Sequence, residues 1–98
     1  MRSPSRHTKE PRNALRDQVR IATKRARRFH RPGSFTEEDW LGLCAYLDWR
    51  CGDCKRRAKL YAVHMTPLRF RSARNDIWNI IPLCHACRDS YQAWQEGR

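Results

Sequence analysis

The sequence predicts an α+β fold in which a small cysteine-bearing domain follows a basic N-terminal helix. Apolar residues recur at helical spacing both before residue 33 and after residue 36. Two short segments of β-forming residues then lie between two Cys-x-x-Cys pairs, and a periodic segment at 86–95 predicts a closing helix. We therefore divide the 98-residue chain into a basic tail and amphipathic helix, 1–33, and a folded domain, 34–98.

The N-terminal helix is predicted to begin at Pro11, since proline suits the first helical position, and to end at Arg31-Pro32-Gly33. Its apolar face consists of Leu15, Val19, Ala22, Ala26 and Phe29. Because two of these are alanines, we expect the helix to need a partner surface or DNA to become fully ordered. Residues 1–10 are polar and charged and are predicted to form a flexible tail.

The folded domain carries its own local signals. Thr36, followed three residues later by Asp39, predicts the N-terminal cap of a second helix. Cys44 lies on the apolar face of that helix, and we interpret it as a core thiol. Strands are predicted at 60–65 and 77–83, with a loop between them at 67–76. We expect core packing for most members of a set of later aromatic residues: Tyr61, Trp78, Tyr91 and Trp94.

The two cysteine pairs, Cys51 with Cys54 and Cys84 with Cys87, predict a metal site. No apolar signal segment is visible, and in a reducing compartment such pairs hold metal more often than they form disulfides. A disulfide framework and a redox dithiol are the alternatives. Four thiolates complete the closed tetrahedral set of structural zinc and leave no position for a catalytic water. We interpret His85, inside the second pair, as a solvated residue and not as a ligand.

The charge of the chain indicates the class of partner. The formal net charge is +11, and residues 1–33 contain 11 Lys and Arg against two acidic residues. This asymmetry favours a polyanion, and we expect nucleic acid, with double-stranded DNA as the first candidate. A solubilising tail is the alternative. No run reaches the roughly 18 apolar residues of a membrane span. An anionic membrane surface is a weaker option, because no large apolar face accompanies the charge, and we expect no membrane partner. The side chains expected to bind phosphate are Arg12, Arg16, Arg20, Lys24, Arg28, Arg69, Arg71 and Arg74.

Three segments carry a resemblance to a known family. They are "SFT" before the first cysteine pair, "VHMTPL" at 63–68 and "NDIWNIIPLCHAC" at 75–87. Their order and spacing resemble the HNH endonucleases of the ββα-metal class, especially the short phage and bacterial type, over residues 34–91. The resemblance implies a small ββα-metal domain with a structural zinc site of four cysteines.

The resemblance also implies roles for individual residues. His64 would be the general base, and Asn79 would brace the loop and orient that histidine. The two positions that hold the catalytic divalent metal are occupied by Val63 and Arg88. Neither side chain offers the oxygen ligand that Mg²⁺ requires, so we expect no working catalytic metal and expect Arg88 to grip phosphate. A neighbouring acid such as Asp89 is the alternative ligand.

Three functions follow from these residues. The leading hypothesis is a DNA-binding protein of the HNH type, in the cytoplasm of a bacterial or phage-infected cell and associated with the nucleoid, whose nuclease activity is lost or weakened. The second is an active metal-dependent nicking endonuclease with His64 as its base. The third is a phage-type inhibitor that binds a host protein through its aromatic residues.

Overall fold

The computed structural model describes residues 12–95, with side chains from residue 14, as a small α+β unit. Its helices are α1 (Arg12–Arg28), α2 (Glu37–Tyr46) and α3 (His85–Gln95). Two strands, β1 (Tyr61–His64) and β2 (Ile80–Leu83), pair as an antiparallel sheet. The predictions for the tail at 1–10 and for Pro11 lie outside the described residues. No helix within 12–95 is long and apolar enough to cross a bilayer.

Helix α1 ends in a hydrogen-bonded motif whose left-handed residue is a histidine. The Arg31 N–H donates to the Ala26 carbonyl at 2.9 Å, and the His30 N–H donates to Arg27 at 3.0 Å. This pattern requires positive φ at the residue that precedes Arg31, and that residue is His30, with φ 58°. Gly33 lies beyond this helix end and allows the chain to pass close to Asp76, because a Cβ there would lie 2.5 Å from Oδ1 of Asp76.

Helix α2 begins as the sequence predicts. The Asp39 N–H donates to Oγ1 of Thr36 at 3.0 Å, and the Thr36 N–H donates to the Asp39 carboxylate at 2.9 Å. Both bonds of the capping box are present, and this prediction is confirmed.

The sheet is shorter than the sequence predicts. Residues 77–79, expected to open the second strand, form a single 3-10 turn in which the Asn79 N–H donates to the Asp76 carbonyl. Pairing therefore runs only from His64 opposite Ile80 to Tyr61 opposite Leu83. The turn places Trp78 on the surface while Asn79 is buried.

The core lies where α1, α2 and the sheet meet. Trp40 and Cys44 of α2 are buried against Val63 of β1 and Ile80 of β2, which confirms Cys44 as a core thiol. Ala22 brings α1 into the same cluster, so the thin apolar face of this helix does find a partner surface. A second, smaller cluster joins the end of α1 to the loop before β2 and consists of Ala26, Leu68 and Ala73.

Candidate functional site

The four paired cysteines gather at one point. Their sulfur atoms all lie within 4.8 Å of one another, and those of Cys54 and Cys84 are 3.8 Å apart. In the part of the chain that the structure describes, they form the group of potential ligands that could hold a metal ion. His85 stays outside this group, since its exposed ring lies 3.6 Å from the Asp89 carboxylate.

Main-chain donors shape the first cysteine turn. The N–H groups of Asp53 and Cys54 donate to Sγ of Cys51 at 3.4 and 3.5 Å. Burial disfavours the thiolate, but N–H donors from Cys84, Cys54 and Asp53 outweigh it and lower the pKa of Cys51 to about 6. Burial and the neighbouring thiols raise the pKa of Cys87. A negative charge therefore forms readily at Cys51, and that charge disfavours ionisation of Cys87.

The first turn is fastened directly to the sheet. The Gly52 N–H donates to the Pro82 carbonyl at 2.7 Å, and a Cβ at Gly52 would lie only 2.8 Å from Cγ1 of Ile81. The second pair lies at the junction of β2 and α3, where the Arg88 N–H donates to the Cys84 carbonyl. The contact at Gly52 brings the two halves of the cluster together although 29 residues separate them in sequence.

His64 is buried at the end of β1 and is held by a residue that the sequence reasoning missed. Its Nε2 lies 2.8 Å from Oδ1 of Asn75, whose Nδ2 donates to Oγ1 of Thr23 on α1 at 3.1 Å. With that amide orientation, Nε2 carries the proton and Nδ1 keeps its lone pair, and Nδ1 is buried without a hydrogen-bond partner among the described residues. The chemistry available here is therefore that of a neutral base.

The protonation state of His64 follows from its surroundings. Burial lowers the pKa of His64, and the Asn75 hydrogen bond raises it in part. The positive charge of Arg25 on α1 lowers it as well. His64 is the neutral imidazole at neutral pH.

Asn79 braces the loop that follows β1, as the resemblance implies, but it is not the hydrogen-bond partner of the histidine ring. Its Oδ1 accepts from the Thr66 N–H at 2.9 Å, and its Nδ2 donates to the Arg74 carbonyl at 2.8 Å. The ring contact belongs to Asn75. The signal that could have found Asn75 is its place inside the segment "NDIWN", four residues before Asn79.

Val63 and Arg88 stand at the two positions where the resemblance implies ligands of a catalytic metal, and both make other contacts in the structure. Val63 is 1% exposed and packs in the core. The Arg88 guanidinium lies 4.3 Å from the centre of the Tyr61 ring and 3.3 Å from Oδ1 of Asp89. Asp89, the alternative metal ligand, is thus engaged with a cation.

The expected phosphate-binding residues differ in how they are engaged. Three make ion pairs: Arg16 with Glu37, Arg20 with Asp17, and Arg74 with Asp76. The Arg69 guanidinium lies 5.2 Å from the centre of the Phe70 ring. Lys24, Arg28 and Arg71 are exposed, and the side chain of Arg12 lies outside the described residues.

Arg31 joins the two predicted basic segments. Its guanidinium donates to the carbonyls of Leu68 at 2.7 Å and Arg69 at 3.3 Å. The loop that carries Arg69 is thereby fixed beside the C-terminal end of α1, and the small Ala26–Leu68–Ala73 cluster packs beneath this contact.

The aromatic residues differ from the prediction. Trp78 and Trp94 are 66% and 63% exposed, whereas Tyr61 and Tyr91 are half-buried. The expectation of core packing for most of this set is therefore wrong. The Trp94 ring packs instead on Tyr91, at 5.5 Å between ring centres.

No protein-family model, curated protein or solved structure matches the chain.

Proposed function

We propose that the chain is a zinc-stabilised nucleic-acid-binding protein on an HNH-like ββα-metal scaffold, without the metal-dependent cleavage of that family. The observation that carries the proposal is the placement of the Arg69 loop against the end of α1 by Arg31. Cations that are far apart in sequence, such as Lys24 and Arg71, then belong to one small body with a large positive charge.

The proposal of zinc is supported by the chemistry of the four cysteines. Two thiolates at about 2.3 Å from one tetrahedral zinc ion lie about 3.8 Å apart. The 3.8 Å between Cys54 and Cys84 agrees with this separation. With four protein ligands the ion has no open position, so its contribution is to stability, and such sites supply about 10–16 kcal/mol toward folding.

The absence of cleavage is argued from the ligand positions. Val63 and Arg88 provide no oxygen ligand for a divalent ion, and Arg88 adds a positive charge. His64 remains as a neutral base, but general-base catalysis alone contributes typically about 10²–10⁴-fold. That is far below the acceleration that phosphodiester hydrolysis requires. Restoring an acid at Val63 would not repair the site, because it would place a carboxylate in the core.

The salt dependence of binding tests the proposal. Four of the predicted phosphate-binding residues, Lys24, Arg28, Arg69 and Arg71, make no ion pair with the described residues. If each binds one phosphate, duplex affinity falls about 10²-fold between 50 and 200 mM salt. It falls about 10⁴-fold if the paired arginines bind as well. Fluorescence anisotropy with a labelled duplex measures this slope. A flat salt response, or no binding at low salt, would refute the proposal.

An active nicking endonuclease is the second candidate, and one observation favours it. Asn75 holds His64 in the tautomer that a general base needs, with the lone pair on the buried Nδ1. This candidate predicts that Mg²⁺, Mn²⁺ or Ni²⁺ supports nicking of supercoiled plasmid and that His64→Gln abolishes it.

A protein partner is the third candidate, favoured by a cavity of about 410 Å³ between the cysteine cluster and α3. Met65, Tyr91 and Trp94 line it; Trp94 is 63% exposed, and tryptophan and tyrosine are enriched at binding hot spots. Capture of a partner by the wild type from nuclease-treated lysate, lost with Trp94→Ala, would support this candidate.

A further inference from the structure

A second cavity, of about 250 Å³, lies between the C-terminal half of α1, the loop after β1 and the end of α3. It is lined by two guanidinium groups, an aromatic ring, an amide and two apolar side chains: Arg25, Arg69, Phe29, Gln95, Pro67 and Leu68. We propose that this cavity binds an unpaired nucleobase, in a single strand or extruded from a duplex. The inference rests on the proposed nucleic-acid binding and specifies what part of the nucleic acid the protein contacts.

The aromatic lining supports a planar ligand. Phe29 follows directly after α1 and is 42% exposed, although the sequence predicts it on the apolar face of that helix. Phe70, next to the lining residue Arg69 but not itself in the lining, is 47% exposed, and the Arg69 guanidinium lies 5.2 Å from the centre of its ring. Exposed rings beside arginines are the features on which bases stack in proteins that bind single strands.

The size and charge of the cavity agree with the same ligand. Drug-sized ligands occupy pockets of roughly 300–1,000 Å³, so this cavity suits a smaller group such as a base. Arg25 and Arg69 at its rim supply positive charge for the phosphates that flank the base. Arg31 fixes the Leu68–Arg69 wall through two carbonyls, so the cavity is formed before any ligand enters.

The cavity also adjoins the histidine described above. Gln95, one of its lining residues, donates from Nε2 to the His64 carbonyl at 2.9 Å. The positive charge of Arg25, another lining residue, lowers the pKa of the His64 imidazole. The cavity therefore lies beside the end of β1. A base bound in this cavity would be contacted directly, and phosphate contacts alone do not provide such a contact.

The experiment compares single strands of equal length with and without bases. Anisotropy is measured for a mixed-sequence DNA strand, for an abasic strand with the same number of phosphates, and for a duplex. Phe29→Leu keeps an apolar side chain but removes the ring face, and Ile21→Ala is the matched control, since Ile21 is exposed on the same helix and is not among the cavity's lining residues. Bound zinc per chain is measured for each variant to show that it is folded.

We expect the wild type to bind the base-bearing strand more tightly than the abasic strand. Phe29→Leu should weaken the base-bearing complex about 5- to 150-fold and leave the abasic complex unchanged. Ile21→Ala should alter neither. Equal wild-type affinity for both strands, or equal losses for both with Phe29→Leu, would overturn the cavity's role while leaving nucleic-acid binding intact. Failure of the wild type to bind any of the three would overturn both proposals.

Discussion

Removal of the Asn75 side chain should destabilise the fold strongly, because that side chain satisfies two groups at once. It is 0% exposed and contacts Nε2 of His64 and Oγ1 of Thr23. In Asn75→Ala the buried His64 N–H has no partner, which costs about 1–3 kcal/mol. The Thr23 hydroxyl also loses its hydrogen bond from Asn75, but Thr23 is half-buried and can bond to water instead. This lost bond and the small cavity left by the amide together add about 1 kcal/mol. The expected loss in the free energy of unfolding is therefore about 2–4 kcal/mol.

Urea unfolding of the zinc-saturated protein measures this loss, and thermal unfolding should show a fall in Tm of about 10–30 °C. Ser72→Ala is the matched control, since Ser72 lies in the same loop and is exposed. A loss for Asn75→Ala no larger than that of Ser72→Ala would refute the reasoning. It would mean that the imidazole finds another partner or water when the amide is removed.

Three further predictions concern the cysteine turn, the buried histidine and the end of α1. Gly52→Ala should cost about 1–3 kcal/mol and weaken zinc retention against a chelator, because its Cβ would lie 2.8 Å from Cγ1 of Ile81; retention equal to wild type would contradict this. Because burial lowers the pKa of His64, the unfolded chain binds more protons, and stability should fall as the pH drops through about 6.5. Urea unfolding at about pH 7.5 and about pH 5.5 should show a smaller loss in His64→Gln, and equal losses would count against the assignment. His30→Gly should stabilise the protein by about 0.5–1 kcal/mol in urea unfolding, because glycine takes positive φ without the penalty of a Cβ, and a destabilised variant would contradict the account of this helix end.

The features that the sequence predicted are those that short-range patterns determine. The capping box needs only Thr36 and Asp39, three residues apart, and the position of Cys44 follows from the helical period. The cysteine cluster followed from the ligand chemistry of two Cys-x-x-Cys pairs, although the sequence did not show how they meet. Gly52 against Ile81 supplies that contact.

The features that the sequence did not predict depend on contacts between distant residues. Thr23 and Asn75 are 52 positions apart, so no local pattern links them to a histidine. The 3-10 turn at 77–79, closed by the bond from the Asn79 N–H to the Asp76 carbonyl, replaces the first three residues of the expected strand, and this turn exposes Trp78. An ion pair such as that of Arg16 with Glu37 likewise depends on how α1 packs against α2.

One gel with supercoiled plasmid tests the central claim, binding without cleavage, most directly. Zinc-loaded protein is incubated with the plasmid and Mg²⁺ at low salt, and each sample is loaded both as it stands and after removal of the protein. The account predicts retarded plasmid in the first lane and unchanged supercoiled plasmid in the second. Open-circular plasmid in the second lane, formed by the wild type and not by His64→Gln, would contradict it, as would plasmid that is never retarded.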